Sequence, residues 1–257
     1  PSEDDMRGVE HRLFGGWDGA DACSAADWAM AAKREIDSAH LAGVVPILVG
    51  GTGLYMRTLL DGIAPVPPID EDVRAAIRAL AVGEAYAALT REDPERALVL
   101  APGDSARIAR ALEVVRSTGQ PLAAWQAHKE GGIAAQVTLR AAILLPVRET
   151  LYARCDRRFQ HMVERGAVDE VAALLARDLD PALPVMRAIG VPELGRFLRG
   201  ESDLDEAIAQ GSQATRNYAK RQYTWFRHQP PEDWSRIAPD VNASGVNETM
   251  LRCFGLT

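Results

Sequence analysis

The sequence predicts an α/β protein: a parallel sheet flanked by helices, interrupted by a helical insertion domain and closed by a helical C-terminal part. Three observations predict it. Val44-Val-Pro-Ile-Leu-Val49 is a continuous apolar run with β-branched residues, as suits a strand covered on both faces. It follows a helical pattern, ends in Gly50-Gly-Thr-Gly53, and leads into a second helical pattern. Helix, strand, glycine turn and helix in that order is the grammar of an α/β fold. The third observation is a long, strand-free, acidic stretch before strand character returns at Gln136–Pro146.

In chain order, residues 1–23 are polar and without period, and are expected to form loop. Ser24-Ala-Ala-Asp27 resembles a capping box with Asp in place of Glu. Ala25, Trp28, Ala29, Ala32, Ile36 and Ala39 follow at helical spacing, and Gly43 stands where a helix would stop. After the 44–49 strand, Leu54–Leu60 is expected as a helix that closes at Gly62. Pro65-Val-Pro-Pro68 breaks the pattern. Helical segments are then expected at 71–80, 84–89, a restart at Pro94, and 105–117. The last has Ser105 as N-cap, Ile108, Ala111, Leu112 and Val115 as buried stripe, and Gly119 as stop. Beyond the second strand comes a helix burying Leu151, Cys155, Phe159, Met162 and Val163 and ending at Gly166. Short helices are expected at 168–177 and 192–199, and one long helix over 203–228, bent at Gly211. A proline-containing tail with a short terminal helix completes the chain. The expected domains are residues 1–65 with 136–257 as the α/β core, and 66–135 as the helical insertion.

Composition excludes several classes. With 47% hydrophobic and 25% charged residues the chain is ordinary globular protein. It has no apolar run of membrane-spanning length and no leader-like segment, so no membrane partner is expected. Three cysteines (Cys23, Cys155, Cys253) make neither a disulfide framework nor a zinc site, which fits a reducing, cytoplasmic setting. The five histidines show no ligand spacing, and no Gly-x-Ser-x-Gly or Gly-x-x-x-x-Gly-Lys-Ser/Thr motif occurs. Net charge is −7 but unevenly spread. Residues 61–104 hold nine acids against four arginines, whereas 211–228 hold four cations and no acid.

Two stretches invite chemistry. Gly50-Gly-Thr-Gly53 lies where α/β sheets place ligands, and reads either as an anion cradle with the Thr52 hydroxyl added or as a tight turn alone. Gln213–Arg227 interleaves Arg216, Lys220, Arg221 and Arg227 with Tyr218, Tyr223, Trp225 and Phe226. On a helix 216, 220, 223 and 227 share a line, a face suited to phosphates and bases or, equally, to solvent.

Several stretches together resemble the tRNA dimethylallyltransferases. They are Ser24–Asp27, Pro46-Ile-Leu-Val-Gly-Gly-Thr-Gly-Leu-Tyr55, Asp72-Val-Arg74, Ala106–Val114 with Thr118-Gly-Gln-Pro121, Arg158-Phe-Gln-His-Met162, Arg187-Ala-Ile-Gly190, and Lys220–Arg227. The resemblance implies a P-loop-NTPase-like parallel sheet flanked by helices. It implies transfer of a dimethylallyl group from dimethylallyl diphosphate to N6 of the adenine beside the anticodon. It further implies Mg²⁺, tRNA through its anticodon stem-loop as partner, and a monomer. Residue by residue, Arg158 matches the diphosphate-contacting arginine, and Gly50, Gly51, Thr52 and Gly53 match the turn expected beside the diphosphate, with Thr52 and Arg158 as the catalytic candidates. Thr52, Arg74, Arg107, Arg110, Arg187, Lys220, Arg221, Trp225 and Arg227 match positions expected against tRNA, Trp225 packing rather than stacking.

The sequence departs from that pattern at its start. The family opens with a strand, a phosphate-binding loop and a general-base aspartate, and Pro1 stands beyond all three. The expectation is a piece of a longer gene product, nearly inactive by itself. An inactive tRNA-binding remnant of the family is the alternative expectation. A nucleotide-kinase-like phosphate enzyme is a third, but it leaves the 216–227 run unexplained.

Overall fold

The computed structural model describes residues 3–238, 250 and 252–254. It divides into two compact units, residues 1–56 with 138–257, and residues 57–137. The first carries a short helical turn, α1 (Glu3–Met6), in the stretch expected to be loop throughout, and then α2 (Ala25–Leu41). Ser24 caps α2 as expected: its hydroxyl accepts from Asp27 N at 3.1 Å, and the Asp27 carboxylate accepts from Ser24 N at 3.1 Å. Gly43 follows at φ 71°, a left-handed conformation that costs glycine nothing. α3 (Gly53–Asp61) begins in the first unit and ends in the second.

The second unit continues with α4 (Glu71–Arg78), α5 (Val82–Glu92), α6 (Pro94–Val99), α7 (Ser105–Thr118) and α8 (Leu122–Gln126). Ile77, Leu89, Ile108, Ala111 and Leu112 form its core, the last four fully enclosed. Of the stripe expected on α7, Ile108, Ala111 and Leu112 are buried as expected, but Val115 is only partly buried and Glu113 and Val114 are buried in addition; Gly119 stops the helix at φ 72°. The cap differs. Asp104, not Ser105, holds the N-cap position, because its carboxylate reaches the free Arg107 N at 3.2 Å. Gly62, at φ 86°, lies so close to the backbone that an added Cβ would stand 2.3 Å from Glu130 O. That approach lets Ile63 and Glu130 exchange two backbone hydrogen bonds of 3.0 Å.

Back in the first unit, β1 (Ala142–Leu144) precedes α9 (Arg148–Glu164), α10 (Ala167–Leu175), α11 (Val191–Leu198), the 25-residue α12 (Leu204–His228) and β2 (Ser235–Ile237). β1 and β2 pair in parallel, Ile143 opposite Arg236, so the α/β class is realised with a two-stranded parallel sheet among the described residues. α10, α11 and α12 share a core of Val171, Leu194 and Ala207. α9 buries Cys155 and Phe159, while Met162, expected inside, is 40% exposed. α12 runs unbroken through Gly211.

One expectation fails outright. Val44–Val49 forms no strand, and Val45 and Val49 are about four-fifths exposed. A strand apolar on both faces needs a backbone ladder and cover on both faces. Pro46 removes one donor from the run, and no strand pairs with it among the described residues. The short terminal helix expected in the tail falls largely outside the described residues.

Candidate active site and nucleic-acid interface

The Gly50–Gly53 turn is seated on one face of α12. A Cβ on Gly51 would stand 2.3 Å from Gln222 Nε2, and one on Gly53 2.3 Å from Trp225 Cε2. Between them Thr52 Oγ1 lies 3.5 Å from the Tyr218 hydroxyl. Tyr218, Gln222 and Trp225 are spaced i, i+4, i+7, so a single helical stripe meets the turn. Two of the three glycines are therefore required by contact with side chains. Gly50 is freer, since a Cβ there would meet only Met56 Cε at an ordinary 3.6 Å. A cavity of about 170 Å³ opens beside the turn, lined by Trp28, Leu48, Thr52, Tyr55 and Met56 among others. Trp28 stacks on Tyr55 with centroids 5.1 Å apart, and the Tyr55 hydroxyl donates to Cys23 O at 3.4 Å. Burial, first, and then the neighbouring Cys23 and Tyr218 push the Tyr55 phenol above its ordinary range. This wall is aromatic and apolar with one polar rim, the composition of a small-ligand pocket.

α9 lies against a different part of α12. Phe159 meets Gly211, where a Cβ would stand 2.1 Å from the ring tip. Arg216 donates to Asp156 at 2.5 Å, and the Arg148 guanidinium sits 5.1 Å over the Tyr223 ring. As the α9 numbers fall the α12 numbers rise, so the two helices are antiparallel. These contacts consume half of the face expected to grip phosphate: Arg216 and Tyr223 are engaged by α9. Lys220, Arg221 and Arg227 remain exposed, and the Arg221 guanidinium packs 5.5 Å over Tyr218.

Arg158 projects from α9 into a shallow groove shared with Arg157, Gln160, His161 and Glu164. It is exposed, forms no ion pair among the described residues, and donates to the Met162 sulfur at 3.9 Å. Its neighbour Cys155 is buried, and that burial raises the thiol above its ordinary range against the pull of Arg158. Phe159, next to Arg158 in the chain, and the glycine turn meet α12 at different heights. From Gly211 to Gln222 the axis advances about 16 Å at a rise of about 1.5 Å per residue.

The remaining candidates divide by engagement. Arg187 is exposed at the end of the 3₁₀ turn Pro184–Arg187 and bears no carboxylate partner among the described residues. In the second unit Arg74 pairs with Glu71 at 2.8 Å, Arg107 with Asp104 at 3.3 Å and Arg110 with Glu113 at 3.8 Å. Trp225 packs on Gly53 and edge-on to Phe226, centroids 4.9 Å apart. Sequence reading missed Gln222 and Tyr218 as the residues facing the turn. The signal was available: 218, 222 and 225 share a helical stripe that contains none of the cations.

Among the described residues no group of three or more His, Cys, Asp or Glu is placed to hold a metal ion. The expected Mg²⁺ is therefore assigned no protein ligand. No described helix is long and apolar enough to cross a membrane.

With this geometry in view, comparison with known proteins gives consistent matches. The IPP transferase family model matches residues 1–229. The chain is 68% identical over 237 residues to a tRNA dimethylallyltransferase of Erythrobacter litoralis, covering 92% of this chain and 75% of the relative. A tRNA dimethylallyltransferase of Novosphingobium aromaticivorans is 65% identical over 240 residues, covering 93% and 85%. Among solved structures, the full-length tRNA isopentenylpyrophosphate transferase of Bacillus halodurans superposes with a TM-score of 0.66 at 30% identity, covering 99% of this chain and 80% of that one. A eukaryotic dimethylallyltransferase acting on tRNA shares the fold with a TM-score of 0.77 at 23% identity, covering 98% and 67%.

Proposed function

Because this chain belongs to the IPP transferase family, we propose that it transfers a dimethylallyl group from dimethylallyl diphosphate to N6 of an adenine next to a tRNA anticodon. The C1–O bond of the donor breaks, diphosphate leaves, an N6–C1 bond forms, and the amine proton passes to a base. What carries the reading is the similarity to named tRNA dimethylallyltransferases along nearly the whole chain. The geometry supports it at two points. Arg158 is a free guanidinium, so it can take up charge developing on the leaving diphosphate without first breaking an ion pair. The Gly50–Gly53 turn offers the Thr52 hydroxyl beside a small cavity walled by Trp28 and Tyr55.

On this reading Lys220, Arg221, Arg227 and Arg187 grip RNA phosphates by charge alone, while Arg74, Arg107 and Arg110 do so from carboxylate-anchored positions. Trp225 supports the turn rather than stacking on a base. Mg²⁺ would bring Lewis-acid charge to the diphosphate, and no residue here is assigned to hold it. A monomer in the cytoplasm fits the substrate.

The test is transfer of label from radiolabelled dimethylallyl diphosphate to an anticodon stem-loop RNA. Label on the target adenine, reduced at least tenfold by Arg158→Ala, is the expected result. No label sinks the reading. Label that is indifferent to Arg158 withdraws that residue's role. Lys220→Ala and Arg221→Ala should each weaken RNA binding and flatten its salt dependence.

A further inference from the structure

The second unit contains a charge arrangement that the reading above uses only in part. Glu113, on α7, is 3% exposed and stands between Leu112 and Val114, both fully buried. Its two carboxylate oxygens face different cations. Oε1 accepts from Arg78 Nε of α4 at 3.1 Å, and Oε2 lies 3.8 Å from Arg110 Nη1. Both arginines are open to solvent, with side chains 64% and 44% exposed. A carboxylate in an apolar setting is costly unless its partners hold it, and here one anion serves two cations from two helices.

The stoichiometry leaves this three-residue cluster with one excess positive charge. Arg78 spends its Nε on Glu113, and no other hydrogen bond occupies its terminal nitrogens among the described residues. Those nitrogens form the fork that matches a phosphate. Arg74 stands one turn earlier on α4, its charge already met by Glu71 at 2.8 Å. A simple structural ion pair would need one arginine, and would gain nothing from leaving both guanidiniums exposed.

We propose that Arg78 and Arg110 form a phosphodiester-binding pair for the RNA substrate, and that the buried Glu113 is its positioning residue. The proposal rests on the RNA-modifying reading and adds to it a contact at Arg78 and a fixed geometry. RNA rather than free diphosphate is the occupant, because the pair is open to solvent and offers a single excess charge, the complement of one phosphodiester.

The experiment measures anisotropy of a labelled anticodon stem-loop RNA against the full chain over a range of salt, with inorganic pyrophosphate as competitor. Arg78→Ala should weaken binding several-fold near 0.1 M salt and reduce the slope of log K against log salt by about 0.7–0.9, the share of one phosphate. Arg78→Lys keeps the charge and loses the Nε bond, so the slope should recover while affinity stays low. Glu113→Gln is the decisive variant. It makes the unit one charge more positive, yet under the proposal it weakens binding and raises the KM for RNA with kcat unchanged. If Glu113→Gln binds RNA more tightly, the carboxylate neutralises rather than positions, and the proposal is overturned. It is equally overturned if the wild type binds RNA and Arg78→Ala changes neither affinity nor slope. Displacement of the RNA by millimolar pyrophosphate, lost in Arg78→Ala, would move the site to free diphosphate and overturn the choice of ligand. A wild type that binds no RNA fails the functional reading itself, a result separate from these.

Discussion

Gly211→Ala should destabilise this protein, although it replaces glycine by alanine in the interior of a long helix. The general expectation is a gain of about 1 kcal/mol, because alanine surrenders less backbone entropy in a helix. At Gly211 the added Cβ would stand 2.1, 2.5 and 2.7 Å from three carbons of the Phe159 ring. Non-bonded carbons settle at about 3.5–4.0 Å, so the ring must move by an ångström or more. Phe159 is 3% exposed and cannot swing into solvent. Overpacking of this kind costs about 1–3 kcal/mol, and the depth of the overlap places it at the upper end. The net loss is about 2 kcal/mol. For units of roughly 150–250 residues that lowers Tm by about 4–8 °C. Thermal unfolding followed by circular dichroism reads it directly. Two controls isolate the cause. Gly83→Ala on α5 adds a Cβ with nothing within 4 Å and should raise Tm slightly. In a Phe159→Leu background, where the ring tip is gone, Gly211→Ala should cost little or become favourable. A rise in Tm for Gly211→Ala in the wild-type background would refute the close approach of α9 and α12.

Two further outcomes follow from the geometry. Gly53→Ala places a Cβ 2.3–2.6 Å from three carbons of the Trp225 ring; it should cost about 1–3 kcal/mol and shift tryptophan emission, and an unaltered spectrum and Tm would show that the turn does not rest on α12. Arg116 donates two hydrogen bonds to Glu92, at 2.8 and 2.7 Å, and these, ahead of the opposing desolvation, hold the Glu92 carboxyl below its ordinary range. A depressed carboxyl stabilises the fold above its unfolded pKa, about 4.3, and that contribution is lost as pH falls through the lower folded value. The pair is about one-third exposed, so after solvent screening it contributes about 0.5 kcal/mol. The Tm gap between wild type and Arg116→Ala should therefore persist at neutral pH and close below about pH 4, whereas a gap independent of pH would remove the ion pair as its cause.

What the sequence revealed was mostly local. The Ser24–Asp27 box and the Gly119 stop each depend on residues three or four positions apart, and each is where it was expected, as are Ile108, Ala111 and Leu112 of the α7 stripe. Asp104 and Ser105 show the limit of that reading, since both are good caps and only the reach to Arg107 N decides between them. The sheet was less legible for a different reason. A strand is defined by its partner, and β1 pairs with Ser235–Ile237, a three-residue segment too short to show alternation. Val44–Val49 had the composition of a buried strand, but composition does not supply the neighbouring backbones that a ladder requires.

The candidate site divides along the same line. Residue types marked the glycine turn and the cationic helix, but not which face of α12 serves which neighbour. A line through 216, 220, 223 and 227 gathers the charges, and α9 takes two of its members through Asp156 and Arg148. The turn takes the stripe 218, 222 and 225, which carries no charge at all. α12 thus has one face holding α9, which bears Arg158, and another holding the turn, which bears Thr52. The consequence is mechanical. An arginine whose carboxylate partner lies across a helix interface holds those helices in register, so Arg216 is bound to structure and is not free for substrate. Lys220, one turn later, is exposed and has no such partner among the described residues. Whether a basic residue grips its ligand or its own fold is decided by the acid opposite it, and that acid lies 60 positions away in the chain.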